Sequence, residues 1–227
     1  MRVLALMAAL ILPACTGPLS ALDPHGPAAA SIATLWWGMR AGATGLFALV
    51  IVLFVLVMLR PDWGRQLPAI RWIVLGGLAL PAVVLIPLTG YALFAGQRLL
   101  PLGAENPARI EAEGRQWVWS FRYPDHGGAV TEGTLHLPAG QPVDMIVTAR
   151  DVIHGFWVPR LAGKIDAIPG HVTTLRLQAD APGTHEGLCA EFCGLDHAGM
   201  RFDVIVHPPE DFAAALAAAA TASEATQ

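Results

Sequence analysis

From Ala41 to Leu59 the chain carries nineteen consecutive residues without a charged side chain. At 1.5 Å rise per residue such a run makes a helix of about 28 Å, close to the hydrocarbon thickness of a bilayer. Trp36 and Trp37 stand just before it, where interfacial aromatics collect. A second apolar run extends from Trp72 to about Ala95 and contains Pro81 and Pro87. Proline is tolerated in a spanning helix when neighbours satisfy the freed carbonyls, so this run is expected to pack against another protein. The loop from Arg60 to Arg71 holds three arginines and one aspartate. The positive-inside rule places that loop in the cytoplasm and both ends of the hairpin outside.

Composition agrees. Of 227 residues, 54% are apolar and 14% charged, against about 25% charged in an ordinary soluble domain. A disordered chain is excluded and a wholly soluble one disfavoured. Three cysteines are too few for a disulfide scaffold. The charge is uneven. Residues 1–97 hold five arginines and two aspartates, whereas residues 98–227 hold nine basic and sixteen acidic groups, a net of −7. That division reads as a membrane anchor followed by an acidic, water-facing domain. The overall charge of −4 gives no footing to nucleic-acid binding.

Residues 1–14 present Arg2, a short apolar run and Pro13-Ala14 before Cys15. This is too short to span a bilayer and reads as a signal peptide. Leu12-Pro13-Ala14-Cys15 resembles a lipobox that would make Cys15 a lipidation site, although Pro13 is unusual there. A plain signal peptide or a retained apolar terminus are the alternatives. Residues 15–40 read as a periplasmic linker, with His25 as a solvated loop histidine. The first transmembrane helix is expected over 41–59, the cytoplasmic loop over 60–71 and the second helix over 72–95.

From Arg98 onward the period changes. β-rich stretches at 109–123, 129–137, 142–149, 152–158, 171–178 and 201–207 alternate with turn signals such as Pro124-Asp125, Pro138-Ala139-Gly140 and Pro182-Gly183. Short strands at this spacing indicate a β-sandwich or barrel over 98–212. An Ala-rich helical tail follows over 213–227.

The chemistry is concentrated in Cys189-Ala-Glu191-Phe-Cys193-Gly-Leu-Asp-His197-Ala-Gly-Met200. Two thiols, an imidazole and a thioether fall within twelve residues, and His154 follows a predicted strand upstream. Thiolate and thioether donors select copper over calcium or magnesium, and imidazole suits copper too. A Cys189–Cys193 disulfide is an alternative in an oxidising compartment, but it leaves His197 and Met200 unexplained. Zinc is poorly served by methionine. A mononuclear blue-copper site uses one cysteine, so the second favours a pair of coppers.

These residues resemble subunit II of a haem–copper cytochrome c oxidase. The match lies in Cys189-x-Glu191-x-Cys193-Gly194-x-x-His197-x-x-Met200, Asp151-Val-Ile-His154, Lys164-Ile-Asp166-Ala-Ile-Pro169-Gly170 and Gly114-Arg-Gln116-Trp117-Val-Trp119-Ser120. The resemblance covers residues 30–212. It implies a membrane-anchored all-β protein in which a two-helix transmembrane hairpin carries a cupredoxin-like β-sandwich outside a bacterial inner membrane. It implies a binuclear CuA centre in which Cys189 and Cys193 bridge, His154 and His197 each bind one copper, Met200 binds axially and Glu191 contributes its backbone carbonyl. The Glu191 side chain would reach a magnesium shared with subunit I. Trp117 matches the residue through which electrons arrive from cytochrome c, and Asp151 is the best-matched docking acid. The implied partners are subunit I, with its haem and CuB, subunit III and cytochrome c. The implied role is passing electrons for reduction of oxygen to water coupled to proton pumping.

Departures touch the docking surface. Arg122 stands where relatives often carry an acid, Val118 where they often carry tyrosine and Arg201 where they often carry proline. The start of the second helix, residues 71–80, lacks the glutamate that serves a proton path in many relatives. A quinol-oxidase subunit II, which lacks the copper ligands, a copper-delivery module, and the CuA domain of nitrous oxide reductase, a soluble enzyme, are the rival readings.

Overall fold

The structure, a computed structural model, describes residues 16–60, 62, 68–99 and 107–224. The signal-peptide reading of 1–14, the lipidation reading of Cys15 and half of the loop at 60–71 lie outside the described residues. The chain divides into two compact units, Thr34–Leu99 and the remainder.

The first unit is helical. Helix α1 spans Pro27–Leu59, about 50 Å at 1.5 Å per residue. It therefore begins well before the uncharged run, and residues 27–40 are helical where the sequence reading placed linker. Proline is pre-organised for the first helical position, and the alanines after it are strong helix formers. Trp36 and Trp37 make an edge-to-face pair with centroids 4.8 Å apart, and the Arg40 guanidinium lies 4.7 Å from the Trp37 ring. This amphipathic collar precedes the stretch that must lie in hydrocarbon.

Helix α2 runs as Ala69–Trp72, a π-helical segment Ile73–Ala79, and Leu80–Leu99. It is longer at both ends than the expected 72–95. The π segment sits directly before Pro81, whose ring would clash with the carbonyl four residues back in a regular α-helix; a widened turn relieves this. Phe47, Phe54, Met58, Leu78, Val83 and Ile86 are all more than 60% exposed. Helices apolar on every face are soluble only in lipid, so they anchor the chain in a membrane.

The second unit is a β-sandwich of two five-stranded sheets, ordered β3-β2-β1-β5-β8 and β4-β10-β9-β6-β7. The strands are β1 (Ala108–Arg115), β2 (Val118–Tyr123), β3 (Ala129–Glu132), β4 (Thr134–Pro138), β5 (Val143–Ala149), β6 (His154–Trp157), β7 (Ile165–Ala167), β8 (Thr173–Leu177), β9 (Gly183–Cys189) and β10 (Arg201–His207). β1 pairs parallel with β5 and β10 parallel with β4; the other pairs are antiparallel. Strict alternation in β5 buries Val143, Met145 and Val147. Between the sheets, Phe156 stacks on Phe202 at 5.2 Å and meets Trp119 edge-on at 5.4 Å.

Helix α3 spans Pro209–Glu224 and is no free tail. Phe212, Leu216 and Ala220 are buried, one helical face laid on the sandwich, so the domain extends past residue 212. Residues 20–33 also form part of this unit. The Arg160 guanidinium donates to the Asp23 carboxylate at 2.7 Å, His25 N–H donates to the Arg160 carbonyl at 2.7 Å, and Ala29 N–H to the Leu161 carbonyl at 3.1 Å. A Cβ on Gly26 would lie 2.2 Å from the Gln178 carbonyl oxygen. The segment read as a linker is thus a strap tied to the domain. His25, exposed as expected, also packs edge-on against buried His185 at 5.2 Å.

Candidate metal centre

β9 ends on Cys189 and β10 starts at Arg201, with Leu188 opposite Arg201 across the ladder. The connection between them carries the predicted ligands. It is pinned at its neck by Cys189 N–H to the Met200 carbonyl (2.9 Å) and to β6 by Ala190 N–H to the Gly155 carbonyl (2.8 Å). Gly155 makes the second approach feasible, since a Cβ there would lie 2.8 Å from backbone atoms of Ala190 and Glu191. A 3₁₀ turn over His197–Gly199 then brings His197 and Met200 round to one side, because side chains three apart eclipse in that geometry.

The result is a cluster of six donor atoms. Cys189 and Cys193 are free, with Sγ atoms 3.7 Å apart, far beyond the roughly 2.05 Å of a disulfide. His154 Nδ1 is 3.9 Å from Cys189 Sγ, His197 Nδ1 is 3.6 Å from Cys193 Sγ, and Met200 Sδ is 3.7 Å from Cys193 Sγ. The Glu191 carbonyl accepts from the Cys189 thiol at 3.2 Å. His154, Cys189, Cys193 and Met200 are buried. Burial, reinforced by the adjacent Cys189 thiol, pushes the Cys193 thiol up to about 12, so its sulfur stays protonated unless a positive ion compensates the charge.

The donor set fits a soft or borderline transition metal, with sulfur and imidazole donors and one carbonyl. Asp151 prepares one imidazole for this. Its carboxylate accepts from His154 Nε2 at 2.8 Å, from Val152 N–H at 2.7 Å and from Gln116 N–H at 2.7 Å. Nε2 therefore carries the proton and Nδ1 turns its lone pair to the sulfurs. Those hydrogen bonds, opposed by partial burial, hold the Asp151 carboxyl at about 2. The sequence reading gave Asp151 a docking role; the structure adds a grip on His154 that residue type alone did not reveal.

Trp117 lies in the turn between β1 and β2, not within a strand, so it does not share a face with Trp119. Trp119 is fully buried in the core, while Trp117 is half-buried against its rim. A Cβ on Gly194 would lie 3.2 Å from the Trp117 ring, so the indole rests on the backbone next to Cys193. Gly194 also has φ +128°, a conformation that favours glycine on its own account.

The Glu191 side chain points away from the sulfurs. Lys164 Nζ donates to Glu191 Oε2 at 3.0 Å and to Asp166 Oδ1 at 2.9 Å, and these two carboxylates raise the lysine's pKa. Gln116 and Lys164 are partners the sequence reading left unassigned; both lie inside motifs it quoted, which was the available signal.

The family described as cytochrome C oxidase subunit II, periplasmic domain, a copper-binding family, matches residues 128–207. A cytochrome c oxidase subunit 2 of Thermostichus vulcanus is 50% identical over 103 residues, covering 45% of this chain and 31% of that protein. One from Alkalihalophilus pseudofirmus is 32% identical over 220 residues, covering 89% and 63%. A cytochrome bo(3) ubiquinol oxidase subunit 2 of Pseudomonas putida is 29% identical over 232 residues, covering 92% and 69%. The chain thus spans about a third of the first relative and just under two thirds of the second. Among solved structures, the periplasmic domain of subunit II of cytochrome oxidase from Bradyrhizobium japonicum superposes with a TM-score of 0.50 at 31% identity, covering 53% of this chain and 99% of that one. With the sandwich, the apolar helices and the His/Cys/Cys cluster already in place, these matches establish that the chain belongs to the cytochrome c oxidase subunit II family.

Proposed function

We propose that this chain is the electron-accepting subunit of a haem–copper terminal oxidase, with a two-copper CuA centre held by His154, Cys189, Glu191, Cys193, His197 and Met200. The observation that carries the reading is the convergence of four further donors on two cysteine sulfurs 3.7 Å apart. When bound, the copper pair would supply one-electron uptake and release. The chain's own residues prepare for it. Cys189 and Cys193 offer two thiolates that can be shared, Asp151 orients His154, and the strands that end at the site keep the donors in place. A rigid, largely dry donor set limits rearrangement when charge changes.

Trp117 is the proposed contact through which electrons arrive from cytochrome c. Around the buried donors stand exposed apolar side chains, Val152, Ile153, Phe192 and Leu195, a surface suited to a protein partner. The acidic domain would raise the encounter rate with a basic carrier. Electrons would pass to haem in subunit I, alongside subunit III, for reduction of oxygen to water coupled to proton pumping. The proposed setting is a bacterial inner membrane crossed twice, with the Arg-rich loop in the cytoplasm and the sandwich outside. Glu191 is the proposed side-chain ligand for a magnesium at the subunit I interface. Lys164 occupies the space between Glu191 and Asp166, so binding there requires its ammonium to move aside.

A quinol-oxidase role is the second reading, favoured by the ubiquinol oxidase relative. The family pattern separates the two, since quinol-oxidase subunits lack the copper ligands. Metal analysis of the full chain in detergent, with absorption spectroscopy, tests the choice. Two coppers per chain with a mixed-valence purple spectrum support electron transfer; a colourless Cu(I) protein supports delivery or storage; no copper supports the quinol reading.

A further inference from the structure

We infer that Gln116 is a positioning residue: a clamp that holds the two ligand-bearing segments and the Trp117 ring as one unit. It sits in the turn between β1 and β2, outside the ligand set, yet it reaches both sides of the site. Its main-chain N–H donates to the Asp151 carboxylate at 2.7 Å, the same carboxylate that holds His154. Its side-chain Nε2 donates to the Cys193 carbonyl at 2.7 Å. A carbonyl can only accept, so the orientation of the Gln116 amide is settled by its partner.

The clamp meets the loop at the residue where Trp117 rests. A Cβ on Gly194 would lie 2.9 Å from Gln116 Nε2 and 3.2 Å from the Trp117 indole. The peptide joining Cys193 to Gly194 is therefore gripped from one side and covered from the other. The consequence is mechanical. The segment around Cys193 has no strand partner of its own, and among the described residues Gln116 is the side chain that hydrogen-bonds the Cys193 carbonyl. Loss of this bond frees the Cys193 sulfur and the Trp117 seat together. This rests on the two-copper reading for its effect on the metal, but not for its effect on the loop.

The test uses the full chain in detergent and two variants of similar side-chain length that cannot donate, Gln116→Met and Gln116→Glu. Gln116 is exposed, so neither threatens the fold, and β-strand amide exchange serves as the control. In the metal-free protein, amides of residues 190–200 should exchange about five- to tenfold faster in both variants, the effect of losing one hydrogen bond. After copper loading, both variants should keep the wild-type copper content with a shifted midpoint potential and altered copper hyperfine couplings. Wild-type protection of 190–200 in both variants overturns the clamp. Failure of the wild-type chain to take up two coppers overturns the proposed function instead, and the exchange arm still decides the clamp.

Discussion

Asp151→Ala should loosen the metal before it loosens the fold. The substitution removes three hydrogen bonds, of which the one from His154 Nε2 matters most because the His154 side chain is fully buried. Its N–H would be left unpaired, a penalty of about 1–3 kcal/mol, and the ring would lose the partner that directs Nδ1 at Cys189. Removing such a supporting partner typically costs about 10–100-fold in metal affinity, or about 1.4–2.8 kcal/mol, in agreement with the hydrogen-bond figure. Asp151→Asn separates the two roles of the carboxylate. Oδ1 accepts from both His154 and Val152, whereas Oδ2 accepts from Gln116 N–H. An asparagine can keep its carbonyl at the first position but must then face Gln116 with an amide donor. It should bind copper more tightly than the alanine variant while losing the link to the turn. Competition against a copper chelator, with urea unfolding of the metal-free chain beside it, reads both effects. Copper bound by Asp151→Ala as tightly as by wild type would refute the reasoning.

Other outcomes follow from the same geometry. Burial, then the neighbouring His207, lowers His136 to about 4, so the unfolded chain takes a proton near pH 6.5 while the native domain resists it. The stability involved is complete above about pH 6.5 and falls by about 3 kcal/mol as pH drops towards 4; urea unfolding across that interval should show the loss, and His136→Phe should flatten it. Met200→Leu, close in volume and costing less than about 1.5 kcal/mol of stability, should leave copper bound but shift its midpoint potential; an unchanged potential would argue against ligation through the Met200 thioether. Trp117→Gln should slow reduction by cytochrome c and leave the copper spectrum intact, and stopped-flow reduction at an unaltered rate would remove Trp117 from the path.

The donor loop was legible because its residue types are unusual and local in sequence. Lipid solubility was equally legible, because an uncharged run is a composition signal. What escaped the sequence has physical reasons. β9 was missed because its inward positions are His185, Gly187 and Cys189, so no apolar alternation appears. Gly187 stands there because the Phe202 ring occupies the space a Cβ would fill, 2.1 Å from the nearest ring atom. The reading of 109–123 as one stretch failed at Gln116-Trp117, a turn without glycine or proline. Residues 20–33 looked like linker because their order comes from Arg160, Leu161 and Asp180, all distant in sequence. Asp151 looked like a docking acid because its bonds to Gln116 and His154 exist only after folding.

The central claim is that two thiols and their neighbours hold a coupled pair of metal ions. Electron paramagnetic resonance of the copper-loaded full chain in detergent tests it most directly. The account predicts a hyperfine pattern from one unpaired spin shared equally by two coppers, abolished in Cys193→Ser. A pattern from a single isolated copper, or a shared-spin signal that survives Cys193→Ser, would contradict it.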